Sequence, residues 1–315
     1  MRDGFGRDID YLRLSVTERC TLHCAYCRAA AGNYPNKSEL SADEFTRIVK
    51  VFAKLGIRKV RLTGGEPLLR KDILEIIENI AAIDGIKELS MTTNAQQIGG
   101  RALKLKQAGL DRVNISMDSL KPERFKEMCG GDLSLVLNGI EESMAAGLTP
   151  VKINVVLIHG VNDDEADDFI ELTRTKPLDV RFIELMPMGI LGQDKSLRVN
   201  NTDLINARPH LKPLNPRYLS QPSRDYQVDG YLGRVGFISP HSQKFCHLCN
   251  RVRLMSDGKL RMCLGDNSEI SILEALQSGE DELEKVISQA ILNKPMQHHF
   301  ENDFITNKDM SRIGG

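Results

Sequence analysis

The sequence lacks an excess of charge of either sign and lacks any long apolar run. Its 42 Lys and Arg residues are balanced by 43 Asp and Glu residues, so no global basic field argues for nucleic-acid binding. An anion site would therefore have to be built locally. No apolar stretch is long enough to cross a membrane, and the opening MRDGFGRDIDYLRLSV contains no signal-peptide core. We expect a cytoplasmic protein with neither nucleic-acid nor membrane partners.

Cysteine occurs seven times, and in a reducing compartment these residues are not expected to form disulfides. Six of them form two groups of three, the first in CTLHCAYC and the second in FCHLCNRVRLMSDGKLRMC. The seventh, Cys129 in EMCGGD, stands alone and is expected to be a buried thiol. The placement of the cysteines is therefore more informative than their number.

Strand and helix signals alternate as far as about residue 187. Segments such as YLRLSV have an apolar period of two, whereas LSADEFTRIVKVFAKLG has a helical period, a capping-box pattern at Ser41 and Glu44, and Gly56 as its stop. About six βα units in series predict a parallel sheet covered by helices. A closed barrel normally needs eight, so we expect an incomplete, open (β/α)6-type TIM barrel.

The predicted strands also carry a two-faced pattern. In YLRLSV, Leu12 and Leu14 share one face, while Arg13 and Ser15 share the other. The polar faces of four further strands include Arg61, Thr92, Ser116 and Lys152. The apolar faces should pack against helices, and the polar faces should line the barrel. Because buried charges need counter-charges, this interior predicts a hydrated cavity for a polar, anionic ligand. The alternative is a solvated antiparallel sheet, against which the βα order argues.

The pattern changes from about residue 188, where Pro, Gly, Asn and Ser are frequent. YQVDGYLGRVGFIS and RVRLMSDGKLRMCL each predict a hairpin, and helices are predicted near 271–277 and 280–292. We expect this region to form a smaller α+β layer that closes the open side of the barrel. The chain would then divide into residues 1–187 and residues 188–315.

The first cysteine trio, Cys20, Cys24 and Cys27, has the spacing C-x3-C-x2-C with no fourth cysteine nearby. Zinc sites usually close with four ligands in paired C-x2-C arms, which this segment does not offer. Iron–sulfur clusters are also held by cysteine thiolates, normally one per iron. Three thiolates on a four-iron cluster leave one iron open to bind another molecule, which is a physical reason for the trio.

The second trio, Cys246, Cys249 and Cys263, has the spacing C-x2-C-x13-C and would also leave one iron of a four-iron cluster open. A zinc knuckle is the alternative, because C-x2-C is a common zinc arm and His241 or His247 could be the fourth ligand. The presence of the first trio favours a second cluster.

The first trio, with Tyr26 before its last cysteine and GGEP at 64–67, resembles the radical S-adenosylmethionine (SAM) superfamily. Together with VKINVV, FIELMPMG, the second trio and the terminal GG, the whole chain resembles the GTP 3′,8-cyclases, the MoaA family of molybdenum cofactor biosynthesis. The resemblance implies a lyase with two [4Fe-4S] clusters and SAM. A 5′-deoxyadenosyl radical would remove hydrogen from ribose C3′ of GTP, and C3′ would attack C8 to give 3′,8-cyclo-7,8-dihydro-GTP.

The resemblance also carries roles over to matching positions. The first trio would hold the cluster that binds SAM, and the second would hold an auxiliary cluster whose open iron meets guanine. The implied SAM contacts are Tyr26, Gly64, Gly65, Glu66, Ser116 and Met186. The implied GTP contacts are Arg13, Arg61, Thr92, Lys152, Arg251, Val252 and Arg253. The implied catalytic residues are Arg251, Arg253, Gly314 and Gly315, the last two in a tail that enters the active site in the family.

The residues themselves support several of these roles. Arg251 and Arg253 are two positions apart, so on a strand they share a face and Val252 points away. Five cations converging on a cavity suit a triphosphate, because planar guanidinium groups match phosphate oxygens.

Three segments depart from the family pattern. TTNA has Ala95 where the family has glycine, which would strain a turn that needs a positive φ. EMCGGD differs from the usual segment, and the linker near 190–235 is short. These departures bear on local geometry and not on the reaction.

The resemblance further implies that the product passes to cyclic pyranopterin monophosphate synthase and that flavodoxin or ferredoxin supplies electrons, and it allows a homodimer. Two rival functions are left open. A radical SAM maturase that modifies peptides usually carries more C-terminal cysteines, and its groove would not need five cations. A zinc-stabilised binding module would be distinguished by metal analysis.

Overall fold

The computed structural model describes residues 1–27, 39–189, 191–300 and 304–314. Twelve strands form one sheet, and helices cover it. The strands are β1 (Tyr11–Ser15), β2 (Lys59–Thr63), β3 (Glu88–Thr93), β4 (Arg112–Ser116), β5 (Lys152–Leu157), β6 (Asp179–Glu184), β7 (Lys212–Pro213), β8 (Ser223–Gln227), β9 (Arg234–Ile238), β10 (Arg251–Leu254), β11 (Lys259–Arg261) and β12 (Ile270–Ser271). None of the described helices is long and apolar enough to span a bilayer.

Six helices follow the βα order predicted for the first region, and four belong to the second. They are α1 (Ala42–Lys54), α2 (Ile73–Ala81), α3 (Ala102–Gln107), α4 (Pro122–Cys129), α5 (Leu133–Ala145), α6 (Ala166–Thr175), α7 (Asn201–Asn206), α8 (Leu273–Ser278), α9 (Glu280–Leu292) and α10 (Met310–Ile313). Short 3-10 turns lie at Pro67–Leu69, Asp163–Glu165, Leu191–Gln193, Lys195–Leu197 and Cys246–Leu248.

The strand order is β12-β11-β10-β1-β2-β3-β4-β5-β6-β9-β8-β7. The run from β10 to β9 is parallel throughout, because β10 joins β1 and β9 joins β6 in parallel register. The expected incomplete barrel is therefore confirmed. The C-terminal region adds to it by extending the same sheet at both edges, and its two predicted hairpins are the antiparallel pairs β8–β9 and β10–β11.

The start of α1 shows how local sequence determines these elements. Ser41 accepts a hydrogen bond from the Glu44 backbone N–H at 3.2 Å, and the Glu44 carboxylate accepts one from the Ser41 N–H at 2.8 Å. The predicted capping box is thus present, and such a cap stabilises a helix by about 1 kcal/mol. The apolar face of α1, including Phe45, Ile48 and Phe52, is fully buried.

The two faces of the parallel strands separate as predicted. Leu12, Leu14 and Leu62 are 0% exposed and belong to the core between the sheet and the helices. The opposite faces carry polar side chains into the interior of the barrel, where Arg13 and Arg61 line a cavity. Burial of the apolar faces therefore sets which side chains the interior receives.

Ala95 is the single described non-glycine residue with a positive φ, at 60°. It follows the end of β3 and is fully buried. A Cβ on Gly139 of α5 would lie 3.2 Å from the Ala95 Cβ, so this glycine lets the helix approach the turn. The strain expected from the sequence is present, and a left-handed alanine costs roughly 1–2 kcal/mol.

Candidate active site

The polar interior of the barrel encloses a cavity of about 300 Å³. Most of the residues predicted to form a site line it, and they come from strands, from the first cysteine loop and from the C-terminal region. These residues are Arg13, Cys20, Cys24, Tyr26, Cys27, Arg61, Gly64, Gly65, Thr92, Ser116, Met186, Arg251 and Arg253.

Several predicted site residues lie outside the cavity lining. Lys152 is at the first position of β5, where its Nζ is 3.5 Å from an Asp179 carboxylate oxygen. Val252 is fully buried in the core between β10 and the helices. Glu66 is also fully buried and does not belong to the cavity lining. Gly315 lies outside the described residues.

The first cysteine loop follows the carboxyl end of β1 and is held by backbone hydrogen bonds. Met128 and Cys129, at the end of α4, accept from the N–H groups of Ala25 and His23 at 3.2 and 2.8 Å. The Cys27 carbonyl accepts from the Met310 N–H of the C-terminal tail at 3.0 Å. The loop is therefore tied to both α4 and the tail.

The donors around this loop fit an iron–sulfur cluster. The Cys20 sulfur accepts from the Leu22 backbone N–H at 3.4 Å and from the Asn94 amide at 3.6 Å, contacts of the kind that stabilise cluster thiolates. In the described part of the chain, no three His, Cys, Asp or Glu side chains meet as ligands of one metal ion. Cluster ligands are not expected to do so, because each thiolate binds a different iron.

Close packing explains the glycines of GGEP. A Cβ on Gly65 would lie 2.1 Å from the Arg19 carbonyl oxygen, and one on Gly64 would lie 2.4 Å from that of Thr17. The same backbones are joined by hydrogen bonds from Gly65 N to Thr17 O and from Glu66 N to Arg19 O. The turn therefore lies directly against the entrance to the cysteine loop, and side chains would separate them.

The Glu66 carboxylate holds this turn to the end of β3. It accepts hydrogen bonds from the Thr93 hydroxyl at 2.8 Å, the Asn94 N–H at 2.7 Å and the Leu68 N–H at 3.1 Å. Burial raises its pKa despite these donors. The carboxylate thus accepts two backbone N–H groups and one hydroxyl of the chain itself, and it joins the GGEP turn to the end of β3.

Tyr26 is connected to the opposite side of the cavity through Asp118. Its hydroxyl donates to Asp118 at 2.7 Å, and the second Asp118 oxygen accepts from the Val156 N–H at 2.8 Å. Burial raises the pKa of Asp118 to about 6. These contacts fix the tyrosine between the cysteine loop and β5.

The second trio lies at the other end of the barrel. Cys246 and Cys249 precede the first residue of β10, which is parallel to β1, whereas the first trio follows the last residue of β1. Although burial opposes it, the charges of Lys294 and Arg251 hold the pKa of Cys249 below its usual value. Such cations favour thiolate ligands.

The cavity walls are strongly cationic. Burial, followed by repulsion from Arg253 and Arg61, lowers the pKa of Arg13 well below its usual value. Burial, followed by neighbouring arginines, lowers the pKa of Arg253 to about 10 and that of Arg181 to about 9. Since arginine keeps its proton in proteins, a bound anion is the means of relieving this repulsion.

Several buried polar atoms at the cavity have no hydrogen-bond partner among the described residues. They are the Tyr11 hydroxyl, the Thr63 and Thr92 hydroxyls and the Arg181 Nε. Buried polar groups normally have partners, so these atoms are suited to contact a polar ligand.

The C-terminal tail reaches the cavity wall. The Gly314 carbonyl oxygen accepts from Arg253 at 2.6 Å and from Arg13 at 3.2 Å. A Cβ on Gly314 would lie 2.6 Å from the Thr63 hydroxyl oxygen, and its φ is 73°. Earlier in the tail, Lys308 pairs with Glu269 at 2.8 Å. The tail is therefore positioned by charge and admits no side chain at its penultimate residue.

Strand alternation predicts Asp118 and Asn154 on the inward polar faces of their strands, and both line the cavity, although neither was assigned a role in the site. Other lining residues were not predicted. Arg181 is on the inward face of β6, and the same signal applies. Tyr218 and Phe245 come from loops of the C-terminal region, and no periodic pattern marks them.

Comparisons with known proteins agree with this geometry. A model of the radical SAM superfamily matches residues 14–173, and a model described as Molybdenum Cofactor Synthesis C matches residues 178–300. The GTP 3′,8-cyclase of Alkaliphilus oremlandii is 49% identical over 100% of both chains. That of Moorella thermoacetica is 44% identical, again over 100% of both.

Solved structures show the same fold at low identity. The crystal structure of Streptococcus suis SuiB has a TM-score of 0.61 and 15% identity, covering 91% of this chain and 67% of that one. SuiB bound to S-adenosylmethionine has a TM-score of 0.57 and 16% identity, covering 92% of this chain and 65% of that one.

The partial barrel, the first cysteine loop and the superfamily match define a radical SAM enzyme, a class that uses SAM and a [4Fe-4S] cluster. The full-length identities are more specific than the superfamily. Within it, the chain belongs to the GTP 3′,8-cyclase family of molybdenum cofactor biosynthesis.

Proposed function

We propose that the chain is a GTP 3′,8-cyclase, a lyase that converts GTP to 3′,8-cyclo-7,8-dihydro-GTP in the first step of molybdenum cofactor biosynthesis. The observation that carries the proposal is one cavity, walled by Arg13, Arg61, Arg181 and Arg253, between two cysteine trios at opposite ends of the barrel. A polyanionic nucleotide is the ligand that this charge favours.

The first trio, Cys20, Cys24 and Cys27, is proposed to hold the cluster that binds SAM. When bound, the cluster and SAM supply the hydrogen-abstracting 5′-deoxyadenosyl radical. Tyr26 and Ser116 line the cavity beside this loop, as do Gly64, Gly65 and Met186. We assign these residues to SAM binding. Glu66 would hold the GGEP turn in place through its hydrogen bonds to Thr93, Asn94 and Leu68.

The second trio is proposed to hold a second [4Fe-4S] cluster whose open iron meets the guanine base. Arg251, in the cavity wall, follows Cys249 by two positions, so base and phosphates would meet adjacent parts of the wall. A zinc site remains the rival for this trio. Iron and sulfide of about eight each per chain after anaerobic purification support two clusters, whereas stoichiometric zinc rejects the second.

Arg13, Arg61, Thr92 and Arg253 are proposed to contact GTP directly. Arg253 and Arg13 also bind the Gly314 carbonyl, so the tail would sit against the substrate pocket and limit access of water. Lys152 would act on the substrate indirectly, through its ion pair with Asp179 at the first residue of β6. Val252 would act through packing, because it faces the core.

Further parts of the proposal concern the cellular setting. The product would pass to cyclic pyranopterin monophosphate synthase, and flavodoxin or ferredoxin would supply electrons to a cytoplasmic enzyme, with a homodimer as one assembly. The division of the chain at residue 187 falls just after β6, the last strand of the first six βα units.

The test is release of 5′-deoxyadenosine by the reconstituted, reduced protein. We expect release with SAM and GTP, and only background release with SAM alone or with SAM and ATP. Equal release with and without GTP would reject GTP as the substrate. A Cys249→Ala variant provides a control, since it should lose about half of the iron yet still bind SAM.

A further inference from the structure

The segment 217–222, between β7 and β8, crosses the amino-terminal end of the barrel. Arg217 donates to Asp179, the first residue of β6, at 2.8 Å. Arg251, the first residue of β10, donates to the Ser220 carbonyl at 2.9 Å. Since β6 and β10 belong to one parallel run, both anchors lie at the same end, and the segment spans between them. We call residues 217–222 the floor segment.

A third anchor lies near the middle of this span. The Lys59 Nζ, on the first residue of β2, is 4.3 Å from the centroid of the Tyr218 ring. A cation at that distance from an aromatic face is attracted to it. The floor segment is therefore fixed on three separate strands.

The floor segment has an inner and an outer side. Tyr218 and Pro222 line the cavity, whereas Leu219, between them, is 79% exposed. The floor segment therefore lies across the end of the cavity that is opposite the first cysteine loop. Side chains of this segment form part of the cavity wall there.

The inner side faces buried cations. Tyr218, Arg61 and Arg181 all line the same cavity. Arg181 donates to Asn154 at 2.6 Å, but its Nε has no partner in the described part of the chain. Gly236 on the neighbouring strand leaves it room, because a Cβ there would lie 3.1 Å from the Arg181 Cγ. Asp179 offsets part of the Arg181 charge, but the free Nε and the Tyr218 side chain both remain available to a ligand in this cavity.

We propose that Tyr218 is a specificity-determining residue that selects the length of the phosphate chain of the substrate. The terminal phosphate would lie against the Tyr218 hydroxyl, Arg61 and Arg181, with the floor preventing deeper entry. A shorter chain would leave these groups without an anion, and a site built to bind a group discriminates against ligands that lack it. The inference rests on the proposed GTP cyclase function.

The experiment compares GTP with GDP in the full-length, cluster-loaded protein. Dissociation constants from calorimetry and kcat/KM from product formation are measured for wild type, Tyr218→Phe and Leu219→Ala. Leu219→Ala is the matched control, because it changes the same segment on its exposed side. Cluster absorbance and the unfolding temperature report whether each variant is intact.

We expect wild type to prefer GTP over GDP by at least tenfold. Tyr218→Phe should weaken GTP binding by roughly tenfold, the loss of one hydrogen bond to a charged group, and should leave GDP binding nearly unchanged. The preference for GTP over GDP would then fall by roughly tenfold, with the arginine contacts kept, whereas Leu219→Ala would retain the wild-type preference. The inference is overturned if Tyr218→Phe weakens the binding of GTP and GDP equally, or weakens the binding of neither.

The outcomes separate the two proposals. If wild type converts GTP but Tyr218→Phe keeps its discrimination, the inference fails while the cyclase function stands. If wild type neither binds nor converts GTP, both fail. If Tyr218→Phe loses its cluster signal, Lys59→Met tests the same point. This variant removes the cation that holds the Tyr218 ring and keeps the hydroxyl, so it should also reduce the preference for GTP over GDP. An unchanged preference would overturn the inference.

Discussion

Arg253 donates a hydrogen bond of 2.6 Å to the carbonyl oxygen of Gly314. The same guanidinium also donates to the Ile313 carbonyl at 3.1 Å, so one cationic side chain holds two consecutive peptide groups. The tail is therefore bound to the cavity wall by a residue that we also assign to the substrate. Tail position and substrate binding should be coupled through this arginine.

Gly314→Ala should reduce cyclase activity by at least tenfold. The new Cβ would lie 2.6 Å from the Thr63 hydroxyl oxygen, and the φ of 73° disfavours alanine, so the tail must move. The control is Gly147→Ala, since Gly147 has a φ of 74° but nothing within 4 Å of a Cβ. That variant should lose roughly 1 kcal/mol of stability and keep its activity. Equal activity in the two variants would contradict the assigned role of the tail.

Ala95→Gly should stabilise the protein by roughly 0.5–1 kcal/mol. Alanine is strained at a φ of 60°, and the loss of its buried methyl group offsets only part of the relief. Ala108→Gly is the matched control, because Ala108 has a right-handed conformation with a φ of −67°. This variant should destabilise the protein by roughly 0.5–1 kcal/mol. Chemical unfolding of the two variants measures the difference, and a loss of stability in both would show that the turn is not strained.

Lys152 should make stability increase between about pH 7 and pH 10. Burial, followed by repulsion from Arg181 and Arg112, lowers its pKa to about 7, whereas a lysine in an unfolded chain titrates near about 10.4. The unfolded chain binds more protons across this window, so the folding equilibrium improves as pH rises. Urea unfolding at pH 7, 8 and 9 measures the free energy of unfolding. Lys152→Met should reduce the increase of this free energy with pH. Parallel curves for wild type and variant would contradict the lowered pKa, and exposed Lys104→Met should give a wild-type curve.

Cys129→Ala should retain the iron content of wild type, whereas Cys24→Ala should lose the first cluster. The Cys129 backbone carbonyl holds the cysteine loop at His23, and its thiol donates to the Phe125 carbonyl at 3.0 Å. The Cys129 thiol also hydrogen-bonds to the Cys24 side chain, but the first trio already supplies one thiolate to each of three irons. We therefore expect alanine at position 129 to keep the cluster, apart from the cavity left by one sulfur. Iron and sulfide analysis of the two variants decides this. Loss of iron in Cys129→Ala would make its thiol part of the site.

Strand alternation carried much of the prediction. A period of two is a local property, so the inward positions of Arg13, Arg61, Thr92 and Ser116 followed from it. The open barrel followed from the βα order. The position of each side chain along the barrel axis did not follow from alternation. Lys152 is on the predicted face of β5, but it is the first residue of that strand and does not line the cavity.

The remaining features depend on contacts between distant segments. β9 and β10 join the barrel edges through parallel pairing with β6 and β1, which no local pattern specifies. The floor segment comes from a loop, and Tyr218 reaches the cavity only because three strand ends hold that loop. Glu66 was assigned to SAM from its motif, and the position of its carboxylate depends on the Thr93 hydroxyl at the end of β3 and on the Asn94 N–H just after it.

The most direct test of the account follows one hydrogen atom. Reduced, cluster-loaded protein is incubated with SAM and GTP that carries deuterium at ribose C3′, and the released 5′-deoxyadenosine is analysed by mass spectrometry. The account predicts that 5′-deoxyadenosine gains one deuterium from this substrate and none from GTP labelled at C2′ or C4′. Formation of unlabelled 5′-deoxyadenosine from C3′-deuterated GTP, at the rate of product formation, would contradict it.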